Sequence, residues 1–149
     1  MAKVFEDYFS ELQTDMVAIC MEYSEHKADD IYIYCSWEGN MYGFDVFFKV
    51  QEIVVHRYEL NNISPEFDTS VERQKGMLSI GNQNLKLINE ICKEYNHDMP
   101  TEIKLHYNVK ENSFQAKYKY ELVYSNNEDI LLHDPFDKWF EEVKSESTE

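Results

Sequence analysis

The sequence predicts an α+β fold, an antiparallel sheet of about five strands with helices packed on it, in the order α-β-β-β-α-β-β-α. Three observations carry that expectation. From Ile103 to Tyr124, apolar and polar residues alternate through two runs separated by Lys110 to Ser113. A second alternating block spans Ile31 to about Leu60. Stripes of three-and-four spacing precede it, follow it and close the chain, and period two against period 3.6 separates strand from helix. The 149 residues fit one domain, 1–149, with one core.

Lys3 to about His26 reads as the first helix. Phe5, Phe9, Leu12, Met16, Ile19 and Tyr23 form its apolar stripe, and Glu6, Glu11, Asp15 and Glu22 lie mainly away from it. An acidic polar face argues against a membrane-surface helix, which is normally basic.

Three strands follow. Ile31, Ile33, Cys35 and Trp37 alternate with Tyr32, Tyr34 and Ser36; Glu38, Gly39 and Asn40 supply a turn. Tyr42 to Val50 is the second strand, and Val54, His56, Tyr58 and Leu60 mark a third. Both faces of these strands are partly apolar, so each side needs a cover. That also leaves a homodimer open.

The second helix is expected from about Thr69 to Tyr95, capped by Asp68 or Thr69, with Glu72 placed for a capping box. Gly76 and Gly81 interrupt it. They predict a separate first turn, a kink, or, at Gly81, close packing over the sheet. The 103–124 hairpin comes next. Its expected dry face joins Ile103, Leu105, Tyr107 and Val109 to Phe114, Ala116, Tyr118, Tyr120, Leu122 and Tyr124. Asp134 as N-cap, Pro135 in the first turn and Asp137 at the positive helix end start the last helix. Phe136, Trp139, Phe140 and Val143 are its apolar side, and residues after Lys144 are expected to fray.

The 29 acidic against 14 basic residues leave a net charge of -15. That field repels nucleic acid and anionic membrane, so direct nucleic-acid binding and a membrane role are not expected; it attracts a basic protein. Cys20, Cys35 and Cys92 are odd in number and lack metal spacing, so buried free thiols and a cytoplasmic setting are expected. No apolar run reaches the ~18 residues of a membrane span. The histidines lack ligand spacing, no nucleotide fingerprint is present, and adjacent carboxylates such as Glu141 and Glu142 do not share a helix face. No catalytic residue, metal site or cofactor is expected.

The order of elements, the length and the acidity resemble the YezG-like family of bacterial immunity proteins, or antitoxins. The stretches that carry the likeness are Ile31-Tyr32-Ile33-Tyr34-Cys35, Tyr42-Gly43-Phe44-Asp45-Val46-Phe47-Phe48, and Met99-Pro100-Thr101 entering Ile103-Lys104-Leu105. The aromatic strand from Phe114 and the Trp139 helix also fit. The resemblance implies a cytoplasmic protein that binds and neutralises a cognate toxin, often a nuclease domain, through protein–protein contact and without catalysis. It transfers no contact residues. The alternative is an acidic adaptor or structural binding protein with a non-toxin partner.

Charge and aromatic placement supply the candidate contacts. Residues 1–30 hold eight acids against Lys3 and Lys27; residues 121–149 hold nine, Asp134, Asp137, Glu141 and Glu142 among them, against Lys138 and Lys144. If the terminal helices meet, their fields add on a surface for a basic toxin domain. Trp37 and Tyr42, beside a turn, are the candidate apolar anchors, whereas Trp139 is expected in the core. Solvated helix faces are the simpler account of the same acids.

Overall fold

The computed structural model describes residues 4–147. It is α+β, with one antiparallel sheet in the order β3-β2-β1-β4-β5. The elements are α1 (Phe5–Tyr23), β1 (Asp30–Glu38), β2 (Met41–Val50), β3 (Ile53–His56), α2 (Leu60–Ile63), α3 (Val71–Glu94), β4 (Glu102–Asn108), β5 (Ser113–Lys119) and α4 (Asp134–Ser147).

The centre of the sheet is β1. It pairs with β2 through the Gly39-Asn40 turn and with β4 from the far end of the sequence, from Asp30↔Asn108 to Ser36↔Glu102. Gly39 takes φ 62°, the left-handed geometry that a two-residue hairpin turn demands. The 103–124 hairpin therefore lies at one side of the sheet, with β5 as an edge.

Odd positions of β1 point into the larger core. Ile31, Ile33 and Cys35 are fully buried there with Val46, Phe48, Ile103 and Leu105. Both long helices cover this face. From α1 come Met16, Cys20 and Tyr23, with Phe5, Phe9, Leu12 and Ile19 packed at the margin; from α3 come Met77, Leu85, Ile88 and Cys92. Asn84 ties the two helices together by donating to Asp15 at 2.7 Å. α1 stops at Tyr23, short of the expected His26, because Glu25 and His26 turn left-handed at φ 57°; Lys3 lies outside the described residues.

Three other expectations are corrected, and one of the alternatives left open at the α3 glycines is selected. The third strand ends at His56, where Glu59 accepts the His56 N–H at 2.8 Å and starts a 3-10 turn over Arg57–Glu59. Tyr58 is thereby exposed, and Leu60 is buried as the first residue of α2. α3 is capped by Ser70, whose hydroxyl accepts from Arg73 N–H at 3.3 Å, while Asp68 holds Ser70 N–H instead. The helix runs unbroken through both glycines. Gly81 lies against the Phe44 ring, where an added Cβ would come within 2.3 Å, so the close-packing alternative holds. At the C-terminal end, helical structure continues past Lys144 to Ser147, while Thr148 and Glu149 lie outside the described residues.

β5 departs most from expectation. It ends at Lys119, where the Thr101 hydroxyl donates to Lys119 and Glu121 carbonyls at 3.1 and 2.6 Å and draws the chain off the sheet. Tyr120 and Leu122 then stand about half exposed, and Phe114 and Tyr118 are only partly covered. Periodicity marked one face as apolar without showing that α1 stops short of covering it.

The second face of the sheet carries a smaller core: Tyr32 and Tyr34 of β1, Phe47 of β2 and Val54 of β3, roofed by Phe136 and Phe140 of α4. Trp139 packs at its margin. α1 and α4 thus lie on opposite faces of the sheet, and the two acidic segments do not merge into one surface.

Candidate functional site

The four-turn helix α4 is too narrow to roof five strands. It lies over β1, β2 and β3, and the second face of β4 and β5 is left open beside it. The result is a cleft of about 290 Å³. Tyr32, Lys104, His106, Gln115 and Lys117 form its floor; Trp139, Glu142, Val143 and Glu146 form the α4 wall.

Strand register builds the floor. Gln115, His106, Tyr32, Phe47 and His56 occupy one row across all five strands. Within that row Tyr32 stacks on Phe47 at 4.6 Å and on His106 at 4.3 Å, and Trp139 meets Tyr32 edge-on at 5.7 Å. Such contacts contribute about 0.5–1.5 kcal/mol each beyond area burial, so the floor is stiff. Lys104 Nζ lies 5.5 Å from the centre of the Trp139 ring, a cation–π contact across the mouth.

Buried carboxylates flank the row on the same face of the sheet. Asp30 Oδ1 lies 2.7 Å from His106 Nε2 and accepts from Asn108 at 3.0 Å. Tyr34 donates a short 2.5 Å hydrogen bond to Glu102, which is 3% exposed; Lys104 and Lys119 each stand 3.8 Å from that carboxylate. Burial, and then the Glu102 hydrogen bond, push the Tyr34 hydroxyl pKa far up. Burial, with the negative charges of Asp30 and Glu146, does the same to Tyr32. Both phenols stay protonated at neutral pH, and Tyr34 serves as a donor to Glu102.

A third carboxylate anchors the chain between β5 and α4. Glu38, at the end of β1, accepts N–H groups from Val123, Tyr124 and Ser125 at 3.0, 3.3 and 3.1 Å, and the Ser125 hydroxyl at 2.5 Å. Burial raises its pKa, but these donors outweigh burial and hold it below the ordinary glutamate value. This clamp fixes where α4 lands on the sheet.

The candidate residues from the sequence divide between two surfaces. Glu142 lines the cleft. Glu141 and Asp137 are exposed on α4, and Asp134 is half-buried at its start. Trp37 and Tyr42 lie on the opposite face of the sheet, stacked on each other at 4.7 Å, with Lys86 over Tyr42 at 5.4 Å; both are half-buried. His133, Asp134 and Asp137 place ligand-type atoms within 4.8 Å of one another. Asp134 is the first residue of α4 and accepts the Leu131 N–H at 2.8 Å; His133, whose carbonyl takes the Asp137 N–H, stands in the N-cap place expected for Asp134.

Sequence reasoning missed Asp30, Tyr32, Lys104 and His106 as a group. Alternation put Lys104, His106, Gln115 and Lys117 on wet faces, but only the β1–β4 pairing brings Asp30 to His106. Cys20, Cys35 and Cys92 are buried and free. Burial raises the pKa of all three, most strongly at Cys20 and Cys35, so none is an activated nucleophile. Among the described residues, no helix is long and apolar enough to cross a membrane. No protein-family model and no curated protein matches the chain.

Proposed function

We propose that this protein acts by occupying the surface of another protein, and that its partner is a basic toxin domain of the nuclease class, which it neutralises in the cytoplasm without catalysis. The observation that carries this reading is the open cleft walled by α4. Glu142 and Glu146 line one side of a recess whose rings, Trp139 and Tyr32, meet edge-on, with Tyr32 itself stacked between Phe47 and His106. The -15 charge draws a cationic partner in, and a rigid aromatic recess gives short-range contact once it arrives. The resemblance to immunity proteins supplies the toxin class.

Pull-down from the source cell, with captured proteins identified by mass, is the direct test. Recovery of a basic toxin domain, and stoichiometric loss of its activity on titration, is the expected result. Reversing Glu141 and Glu142 to lysine should slow association by about tenfold at low salt, with the gap closing as salt rises. Unchanged rate and salt dependence would remove α4 from the interface.

A hydrolase is the second reading, favoured by one feature: the Asp30–His106 pair opens into a cleft and resembles a carboxylate-oriented general base. The lining offers no serine, threonine or cysteine beside it. Substrate turnover by the purified chain that disappears in His106→Gln would establish this reading and end the first.

A further inference from the structure

We propose that β5 pairs antiparallel with β5 of a second copy of this chain, giving a two-fold dimer whose axis passes through Ala116. This inference is independent of the toxin reading and uses the outward edge of β5, whose Gln115 and Lys117 also floor the cleft beside α4.

The backbone comes first. Of the two sheet edges, β3 is four residues long and runs straight into a 3-10 turn, whereas β5 offers seven residues. At the ends of β4, Trp37 N–H donates to Thr101 and Val109 N–H donates to Asp29, so odd positions of β4 bond toward β1. Even positions then bond toward β5, where they face Ser113, Gln115, Lys117 and Lys119. Phe114, Ala116 and Tyr118 consequently point their N–H and C=O groups outward from the edge. Centring two copies on Ala116 sets Phe114 against Tyr118, Ala116 against Ala116, and Tyr118 against Phe114. Every outward group of the three finds a partner.

The side chains agree with that register. On the α1 side, Phe114 and Tyr118 are 44% and 39% exposed, and each would cover the other across the axis, with the small Ala116 between them. On the opposite side, Lys117 would face Gln115 and Lys119 would face Ser113, so no like charges stand directly opposite. A slip of two residues in one direction sets Lys117 against Lys117. A slip in the other leaves Tyr118 beyond the partner strand. Like charge directly across a strand pair is destabilising, and the Ala116 register is the one that avoids it while pairing all three residues. Above the axis, the groove between α1 and Phe114 is bordered on the helix side by Ser10, Thr14, Val17, Ala18 and Met21. A second copy therefore fits this edge in both hydrogen bonding and charge.

Two chains of -15 charge repel, so this dimer should tighten as salt rises, the reverse of a contact between an acidic inhibitor and a basic partner. Sedimentation equilibrium at ~0.05 and ~0.5 M salt should give a mass approaching twice 17.9 kDa, with tighter association in the higher salt. Amide hydrogen exchange locates the interface without mutation. Phe114, Ala116 and Tyr118 amides should gain at least about tenfold protection with rising concentration, while Gln115 and Lys117 are protected throughout. Ala116→Pro removes an outward N–H and leaves the inward ladder intact, and Phe114→Lys places charge beside the axis; each should give a monomer of unchanged circular dichroism. A monomeric mass at both salt concentrations overturns the proposal. So does a dimer whose outward β5 amides exchange at the monomer rate, or one that survives both substitutions with the fold intact. If Ala116→Pro fails to fold, the amide measurement on the parent chain decides.

Discussion

Replacing Glu38 by Gln should release the segment that delivers α4 to the sheet. The carboxylate is 3% exposed and takes three backbone N–H groups and one hydroxyl within 2.5–3.3 Å. Hydrogen bonds to a charged acceptor contribute about 1.5–3 kcal/mol, and a buried donor left unmatched costs about 1–3 kcal/mol. The glutamine keeps one oxygen but turns an NH2 group toward donors, so a loss of about 2–4 kcal/mol is expected, a large share of the 5–15 kcal/mol that holds a typical domain folded. Urea unfolding at neutral pH measures the loss. Hydrogen exchange at Val123, Tyr124 and Ser125 shows where it falls. The pH dependence has a fixed sign. Glu38 has a folded pKa below the roughly 4.3 of an unfolded glutamate, so its contribution is full above that value and fades as pH falls through the folded pKa. The gap between parent and variant should stay constant above about pH 5 and shrink below about pH 4. A variant within about 0.5 kcal/mol of the parent, its three amides still protected, would refute the clamp.

The two glycines of α3 should respond in opposite directions. Gly81→Ala drives a Cβ into the Phe44 ring and should cost about 1–3 kcal/mol, whereas Gly76→Ala meets open space in mid-helix and should add about 0.5–1 kcal/mol; paired urea titrations compare them. The three thiols should resist a thiol reagent in the folded protein and react fully in denaturant, since all are buried with raised pKa; rapid native reactivity would contradict the packing. Trp37→Ala and Tyr42→Ala should weaken partner binding if their stacked pair is an anchor, and full affinity in both folded variants would remove that face from the interface.

Much of the architecture was legible because its signals are local. Alternation marks β1, β2 and β4 whatever their neighbours, and the acidic start Asp134-Pro135-Phe136-Asp137 marks α4, although Asp134 is its first residue and not its N-cap. Misreadings arose where a short-range bond competed with the pattern. Glu59 ended β3 by taking His56 N–H, and Ser70 outbid Thr69 as a cap because Asp68 holds the turn. The candidate site was less legible still. Asp30 and His106 are 76 positions apart and become neighbours only through strand register.

Residue by residue, the chain settles its acidity, its periodicities and therefore its α+β class. The fold alone decides that β1 is central, that α1 and α4 take opposite faces, and that α4 stops short of β4 and β5. The reason is that a strand's alternation specifies which side chains share a face but carries no information on which strand lies beside it. That choice is made by long-range pairing and by the width of the helix that covers the sheet, and together these create both the cleft and the bare edge.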